Sequence, residues 1–248
     1  MLGLGIGLGM ALPLASGRFS NEYSLAFDGT NDSVDLRGDD SFGEALAGYT
    51  FKNSGSVSCW MKIATSSTNG TLWDFTVDSN NRVFLQYKHT TDTLVLNRKS
   101  SGTSKLVTFN PDPATLEGDD TWHHIACTWD SSGDMKIYVD GTLADTRDIS
   151  TTTFAGDYDD VGVSLTLGES FSGGADLWGG LDELVVYKSV INQTVVDDLY
   201  NGGKPKQLIL GEVIAHWRFE EGEGTTVVDS IVGYTGSIAG AVYATDVA

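Results

Sequence analysis

The stretch Thr121-Trp-His-His-Ile-Ala-Cys-Thr-Trp-Asp130, with Met135-Lys-Ile-Tyr-Val139 and Thr142-Leu-Ala-Asp-Thr146 after it, decides the fold class. All three runs are short and carry β-branched and aromatic side chains, the make-up of strands rather than helices. Asp140-Gly141 stands between the last two. A two-residue type I′ turn needs positive φ at both central positions, which Asp and Gly tolerate, so this dipeptide is the strongest hairpin signal in the chain. Ser132-Gly133 and Ser79-Asn80-Asn81 are weaker turns of the same kind. Working outward, strands are predicted at 23–28, 33–36, 57–63, 71–77, 82–89, 93–97, 106–109, 123–130, 135–139, 142–146, 164–167, 180–187, 213–218 and 237–243, with turn residues between them. That rhythm belongs to a mostly antiparallel sandwich or barrel. One short helix is predicted over 192–200, where Asn192 can cap, Val195, Val196 and Leu199 give an apolar stripe, and Asn201-Gly202 ends it. Gly202-Gly203-Lys204-Pro205 then reads as a linker.

Composition agrees. The 248 residues are 40% apolar, 10% aromatic and 20% charged, with 30 glycines, which suits one all-β domain. Lys and Arg number 15 against 34 Asp and Glu, a formal charge of −19. Such a surface repels phosphate backbones and anionic headgroups, which excludes nucleic acid as a partner, and it favours divalent cations. Cys59 and Cys127 each lie inside a strand-like run. Two free buried thiols are expected, with a disulfide open if their strands are neighbours.

The first residues alternate: Leu2, Leu4, Ile6, Leu8 and Met10 interleave with glycines, and no Lys or Arg precedes Arg18. A period of two with this much glycine suits an extended arm, not a helix, and the run is too short to span a membrane. The missing positive n-region argues against a signal peptide. Residues 1–20 are therefore expected to be a Gly/Leu-rich anchoring arm, and 21–248 the sandwich. The arm lies either on another subunit or over its own domain.

Ser24-Leu-Ala-Phe-Asp-Gly-Thr-Asn-Asp-Ser-Val-Asp-Leu36, Ser56-Val-Ser-Cys-Trp-Met-Lys62, the 121–130 run, Lys136-Ile-Tyr-Val-Asp-Gly141 and Trp178-Gly-Gly-Leu-Asp-Glu-Leu-Val-Val-Tyr187 resemble, in this order, motifs of the laminin-G-like, concanavalin A-like lectin/glucanase superfamily. The resemblance implies a jelly-roll sandwich of two curved antiparallel sheets. The segment from His216 to Gly240 resembles the stretch with which such domains usually begin, yet here it closes the chain. A circular permutation is expected, with Tyr23 and Tyr243 close together; a truncated second repeat packed outside the sandwich is the rival.

Glucanases of this superfamily alternate acids along one strand, in a pattern like Glu-x-Asp-x-x-Glu, to set acid and nucleophile on one face about 5 Å apart. No such run exists here: Asp74 and Asp78 lack a third acid, and adjacent Asp182 and Glu183 should point to opposite faces. His123 and His124 are likewise neighbours facing opposite ways, and no nucleophile elbow, phosphate loop or zinc-spaced cluster appears. Catalytic residues are therefore none. The resemblance implies a structural calcium ion where the Phe-Asp-Gly strand end meets the Leu-Asp-Glu strand, nominating Asp28, the Gly29 carbonyl and Asp182; the same acids could instead cap turns. Sugar binding would need exposed aromatics. Trp60, Trp122, Trp129, Trp178 and Trp217 occupy motif positions and are expected in the core, which leaves Trp73, Tyr158 and Phe171 as candidate sugar contacts, with Tyr158 and Phe171 reading equally as rim residues or as loop anchors.

Laminin-G-like sandwiches also occur as outward-facing appendages of bacteriophage particles. The resemblance, joined to the arm, implies a non-catalytic structural or adhesive component at a virion surface, a capsid decoration or fibre, bound to other subunits through Leu2, Leu4, Ile6, Leu8 and Met10 and presenting loops to host glycans. The alternatives are an extracellular, calcium-dependent glycan-binding lectin and, more distantly, a glycoside hydrolase.

Overall fold

The computed structural model describes residues 19–38, 40–66, 68–111, 114–150, 152–208 and 212–248. Elements run in chain order β1 (Ser24–Asp28), β2 (Ser33–Asp35), α1 (Ser41–Gly48), β3 (Ser54–Ile63), β4 (Gly70–Asp78) and β5 (Asn81–Lys88). Next come β6 (Thr93–Ser100), β7 (Thr103–Phe109), β8 (His123–Asp130), β9 (Asp134–Val139), β10 (Thr142–Asp148) and β11 (Ser164–Leu167). The chain closes with β12 (Trp178–Tyr187), α2 (Gln193–Tyr200), β13 (Val213–Trp217), β14 (Thr226–Val228), β15 (Thr235–Ala239) and β16 (Val242–Ala244). Two antiparallel sheets result. The first has the order β10-β9-β8-β3-β12-β1-β16, with β13 beside the far half of β12, and the second has the order β14-β15-β2-β11-β4-β5-β6-β7.

The expected hairpin is present: Asp140 and Gly141 have φ of 47° and 79°, and Val139 pairs with Thr142. Helix α2 is also capped as predicted, since the Asn192 side chain accepts the Val195 amide at 3.1 Å and Asn201 closes it in the left-handed region. Its Val196 and Leu199 pack with Ala126, Tyr138, Val185 and Tyr187, so it covers part of the outer face of the first sheet.

A second helix, α1, was not expected. Asp40 precedes it in a left-handed conformation with no side-chain cap, so the usual start signal is missing. Tertiary burial holds it instead, because Phe42 meets Trp217 edge-on at 4.6 Å and Leu46 is fully buried. Between the sheets Trp73, Trp129, Trp217, Phe51 and Phe75 are buried with the aliphatic side chains of both inner faces. Each such side chain contributes roughly 2–3 kcal/mol by leaving water, and Trp129 also donates its indole N–H to the Phe51 carbonyl at 2.8 Å.

The C-terminal segment is woven into both sheets: β13 and β16 join the first, β14 and β15 the second. Leu25 pairs with Tyr243 and Ser24 with Ala244, so the two ends of the domain meet, as the permuted arrangement requires. The segment is therefore part of the sandwich, and among the described residues no second repeat is packed outside it. Cys59 and Cys127 are buried and free. Their strands are neighbours, but Cys59 faces Ile125 and Cys127 faces Val57, a diagonal relation. Diagonal Cα atoms lie about 7–8 Å apart, beyond disulfide reach. Burial pushes the Cys59 thiol up to about 12.

Candidate functional site

The outer face of the second sheet is built by alternation. Val83, Leu85 and Tyr87 of β5 and Leu94 and Leu96 of β6 enter the core, which turns Arg82, Phe84, Gln86 and Lys88, and Val95, Asn97 and Lys99, outward. Register aligns one row across it: Ser237, Asp35, Thr166, Asp74, Phe84, Asn97 and Leu106. The loop after β11 folds over this row, and the Phe171 amide donates to Asp74 Oδ2 at 3.0 Å. Asp74 is fully buried. It also accepts the Thr76 hydroxyl at 2.6 Å and pairs with the Arg82 guanidinium. Burial raises its carboxyl above the ordinary value, and Arg82 and these hydrogen bonds partly offset that.

Arg82 lies between two rings, its guanidinium carbon 4.2 Å from the centre of Phe84 and 5.9 Å from that of Phe171. Phe171 is 38% exposed. Among the described residues, Arg82 Nε and Asn97 Oδ1 find no hydrogen-bond partner. The two are diagonal neighbours, since Arg82 faces Lys99 and Phe84 faces Asn97. The result is an aromatic–cation stack with an exposed Phe171 ring, a surface on which the face of a sugar ring can rest, while Arg82 Nε and Asn97 Oδ1 are shielded from solvent. Beyond the stack Gln86, itself buried, donates to Thr71 at 3.1 Å and accepts from the part-exposed Lys88 ammonium.

Of the three candidate sugar contacts read from the sequence, Phe171 alone is at the surface. Trp73 is fully buried because a bulge at Leu72 sends both Leu72 and Trp73 into the core. Tyr158 is an anchor for its loop, packed against Phe51 with ring centres 5.9 Å apart. Trp60, Trp129 and Trp217 are buried as expected, Trp122 is half-buried, and Trp178 is exposed. As a unit, Arg82, Phe84 and Asn97 carry no sequence signal beyond an outward alternation of polar and aromatic residues on two consecutive strands.

The nominated calcium ligands are not brought together. Asp28 pairs with Trp178 and Leu25 with Leu181, which leaves Asp28 and Asp182 about four strand positions, roughly 13 Å, apart. Asp28 Oδ1 accepts the Thr30 amide at 2.8 Å, and the Gly29 amide donates to the Leu177 carbonyl at 3.0 Å. No group of three or more His, Cys, Asp or Glu among the described residues is arranged to hold a metal ion. Asp182 sits at a bulge in β12, where Glu183 has φ of 48° and the register shifts against β3. Leu181 and Leu184 both face the core, so Asp182 and Glu183 share the outer face instead of opposing faces. Glu183 pairs with His216 and with Arg218. Asp182 Oδ2 accepts Asn21 Nδ2 at 2.8 Å and the Ala248 amide at 3.2 Å, while Asp182 Oδ1 and Asn21 Oδ1 stay without a partner. Burial, chiefly, pushes the Asp182 carboxyl up to about 8.

His123 and His124 do face opposite ways. His123 bridges Asp140 at 2.8 Å and Asp119 at 2.9 Å, and the Asp140 hydrogen bond, first, raises it to about 9. His124 lies under α2, against Ser58 Oγ at 2.8 Å, and burial lowers it to about 4. The arm residues Leu2, Leu4, Ile6, Leu8 and Met10 lie outside the described residues.

The sequence profile of the concanavalin A-like lectin/glucanases superfamily matches residues 28–197, and the chain belongs to that superfamily. A rat (Rattus norvegicus) protein, "Sushi, von Willebrand factor type A, EGF and pentraxin domain-containing protein 1", is 29% identical over 181 residues, which are 69% of this chain and 5% of that protein. The chain thus spans a small fraction of that relative's length. A candidate carbohydrate-binding protein from Bacteroides ovatus has a similar structure, with a TM-score of 0.64 at 16% identity over 92% of this chain and 60% of that one. The native heptameric SAP-like pentraxin of Limulus polyphemus gives a TM-score of 0.51 at 16% identity, covering 88% of this chain and 95% of that one. At such identities the likeness shows the fold, a lectin-like jelly roll. No helix among the described residues is long and apolar enough to cross a membrane.

Proposed function

We propose that this chain is a non-catalytic carbohydrate-recognition module, extracellular or displayed at a surface, whose ligand lies on the outer face of the second sheet. The carrying observation is the Phe171–Arg82–Phe84 stack with its exposed Phe171 ring. The likeness to the Bacteroides ovatus protein, itself a candidate carbohydrate-binding protein, supports the ligand class. Arg82, Lys88 and Lys99 give this face cations that the chain, at −19, otherwise outnumbers with acids, so it tolerates neutral and acidic sugars alike. A glycan array probed with the full chain tests this. At least one glycan should be retained, and Phe171→Ala should weaken it about fivefold, the worth of ~1 kcal/mol of aromatic contact. An array without a hit would remove the reading. Repeating it in a chelator separates the calcium-dependent lectin, which would lose its hits, from a calcium-independent one.

The finer setting proposed is a component of a larger assembly, an outward-facing bacteriophage decoration or fibre held by the arm. Its support is the apolar alternation at Leu2 to Met10 and the family resemblance. Deleting residues 2–17 should abolish incorporation into a particle or oligomer while leaving glycan retention intact; unchanged incorporation would refute the anchor.

A further inference from the structure

We infer a second sugar-binding site, on the outer face of the first sheet, where the Trp178 indole and the Asp28 carboxylate stand side by side to take a neutral pyranose. Trp178 is 47% exposed, while Trp60, Trp73, Trp129 and Trp217 are buried. Its backbone is fixed from both sides: it pairs with Asp28 of β1, and its carbonyl accepts the Ala64 amide at 2.9 Å. Directly paired residues on one face have Cβ atoms about 5 Å apart, so a ring lying on the indole has the carboxylate at its rim.

The surroundings keep that indole in place. Gly29, at φ 79°, lets Trp178 lie against the turn, since a Cβ there would meet Trp178 Cβ at 3.0 Å. Two positions along β12, Gly180 carries the half-buried Trp122, whose Cη2 would be 2.6 Å from a Cβ at that glycine. Trp122 is held by its N–H to Asp246 Oδ1 at 3.2 Å, with the Lys62 ammonium 5.8 Å from its ring centre. Two indoles are thus laid on backbone, roughly 7 Å apart along the strand, at the end of the sheet where β12 begins and β1 ends.

Chemistry selects the occupant. A pyranose presents C–H groups to an aromatic face and hydroxyls at its edge, and a carboxylate accepts two of those hydroxyls. Asp28 Oδ1 is engaged with the Thr30 amide, whereas Oδ2 accepts no hydrogen bond from any described residue. The neighbourhood is acidic. Asp28 and Asp176 both repel the Asp32 carboxylate, whose burial is the main reason it is raised, and Lys62 is already shared by Asp120 and Asp246. Sialylated, uronate and sulfated sugars are therefore disfavoured, unlike on the Arg82 face.

The inference rests on the carbohydrate reading only for its choice of probe, and its test separates the two. The 15N-labelled full chain is titrated with methyl β-galactopyranoside, methyl α-glucopyranoside, methyl α-mannopyranoside, N-acetylglucosamine and glucuronate, up to about 100 mM because single-ring contacts bind in the millimolar range. Trp178→Phe and Trp122→Phe assign the indole N–H signals. At least one neutral sugar should shift the Trp178 signal saturably, Asp28→Asn should weaken that binding at least fivefold, and Phe171→Ala should leave it unchanged; glucuronate should not bind here. Absence of a saturable Trp178 shift with all four neutral sugars overturns the inference, as does unaltered affinity in Asp28→Asn. Shifts confined to Arg82 and Phe171 overturn it while sparing the second-sheet site, and shifts confined to Trp178 do the reverse.

Discussion

Exchanging Asp182 for asparagine should change how stability depends on pH more than it changes stability itself. The folded chain holds the Asp182 carboxyl at about 8, against 3.8 for the ordinary group, mainly because it is buried at 0% exposure. A raised acid is protonated in the folded state while the unfolded chain has already released its proton. Its contribution is therefore complete below pH 4 and is lost as pH climbs toward 8. The loss is about 1.4 kcal/mol per pH unit, or about 4 kcal/mol by pH 7. Asparagine has the same shape, retains an acceptor for Asn21 Nδ2 and the Ala248 amide, and carries no proton to lose. Urea unfolding of both proteins, followed by tryptophan fluorescence at pH 4.5, 6 and 7.5, measures the difference directly. Other titrating groups cancel in the comparison. Asp182→Asn should be only slightly different from the parent at pH 4.5 and increasingly the more stable above it. A difference constant across the three pH values would show that Asp182 is ionised when folded, and would refute the argument.

Arg82→Ala should destabilise by roughly 3–5 kcal/mol, because it leaves the buried Asp74 without its counter-charge, and chemical denaturation reads this. His123→Gln should be the less stable protein at pH 6 by up to about 3 kcal/mol, with the gap closing toward pH 9: a raised histidine stabilises below its unfolded value of 6.5 and loses that effect as pH passes about 9. Gly180→Ala should lower stability by about 1–3 kcal/mol and make the Trp122 indole more accessible to an acrylamide quencher, since the new methyl group occupies the ring's place.

Much of the architecture was legible because local chemistry and global fold agree at Asp140-Gly141, at the Asn192 cap and at the alternating runs of β3, β5 and β8. What was hidden shares a cause. Helix α1 lacks a capping side chain and exists through Phe42 and Leu46, a contact with distant residues that no local pattern announces. The bulges at Leu72 and at Asp182–Glu183 break the period of two: the first carries both Leu72 and Trp73 into the core, and the second defeats the alternation that would set Asp182 and Glu183 on opposite faces. Trp178 opens its strand between Leu177, which is buried, and two glycines, and nothing in that string says which face is covered. The Arg82 site depends on register among four strands and a returning loop, information that exists only after the sheets have assembled.

The meeting of the two chain ends bears on how such a domain carries load. Ser24 and Ala244 are paired at the same end of the β1–β16 ladder, so tension applied between the flanking segments pulls the two strands apart from one extremity. Hydrogen bonds then open one after another rather than sharing the force, and three paired positions offer little resistance. An adhesive domain hung between its own ends would peel at modest force; held through one end, with its ligand gripped on a sheet face, it would transmit pull through the sandwich and leave that seam unloaded.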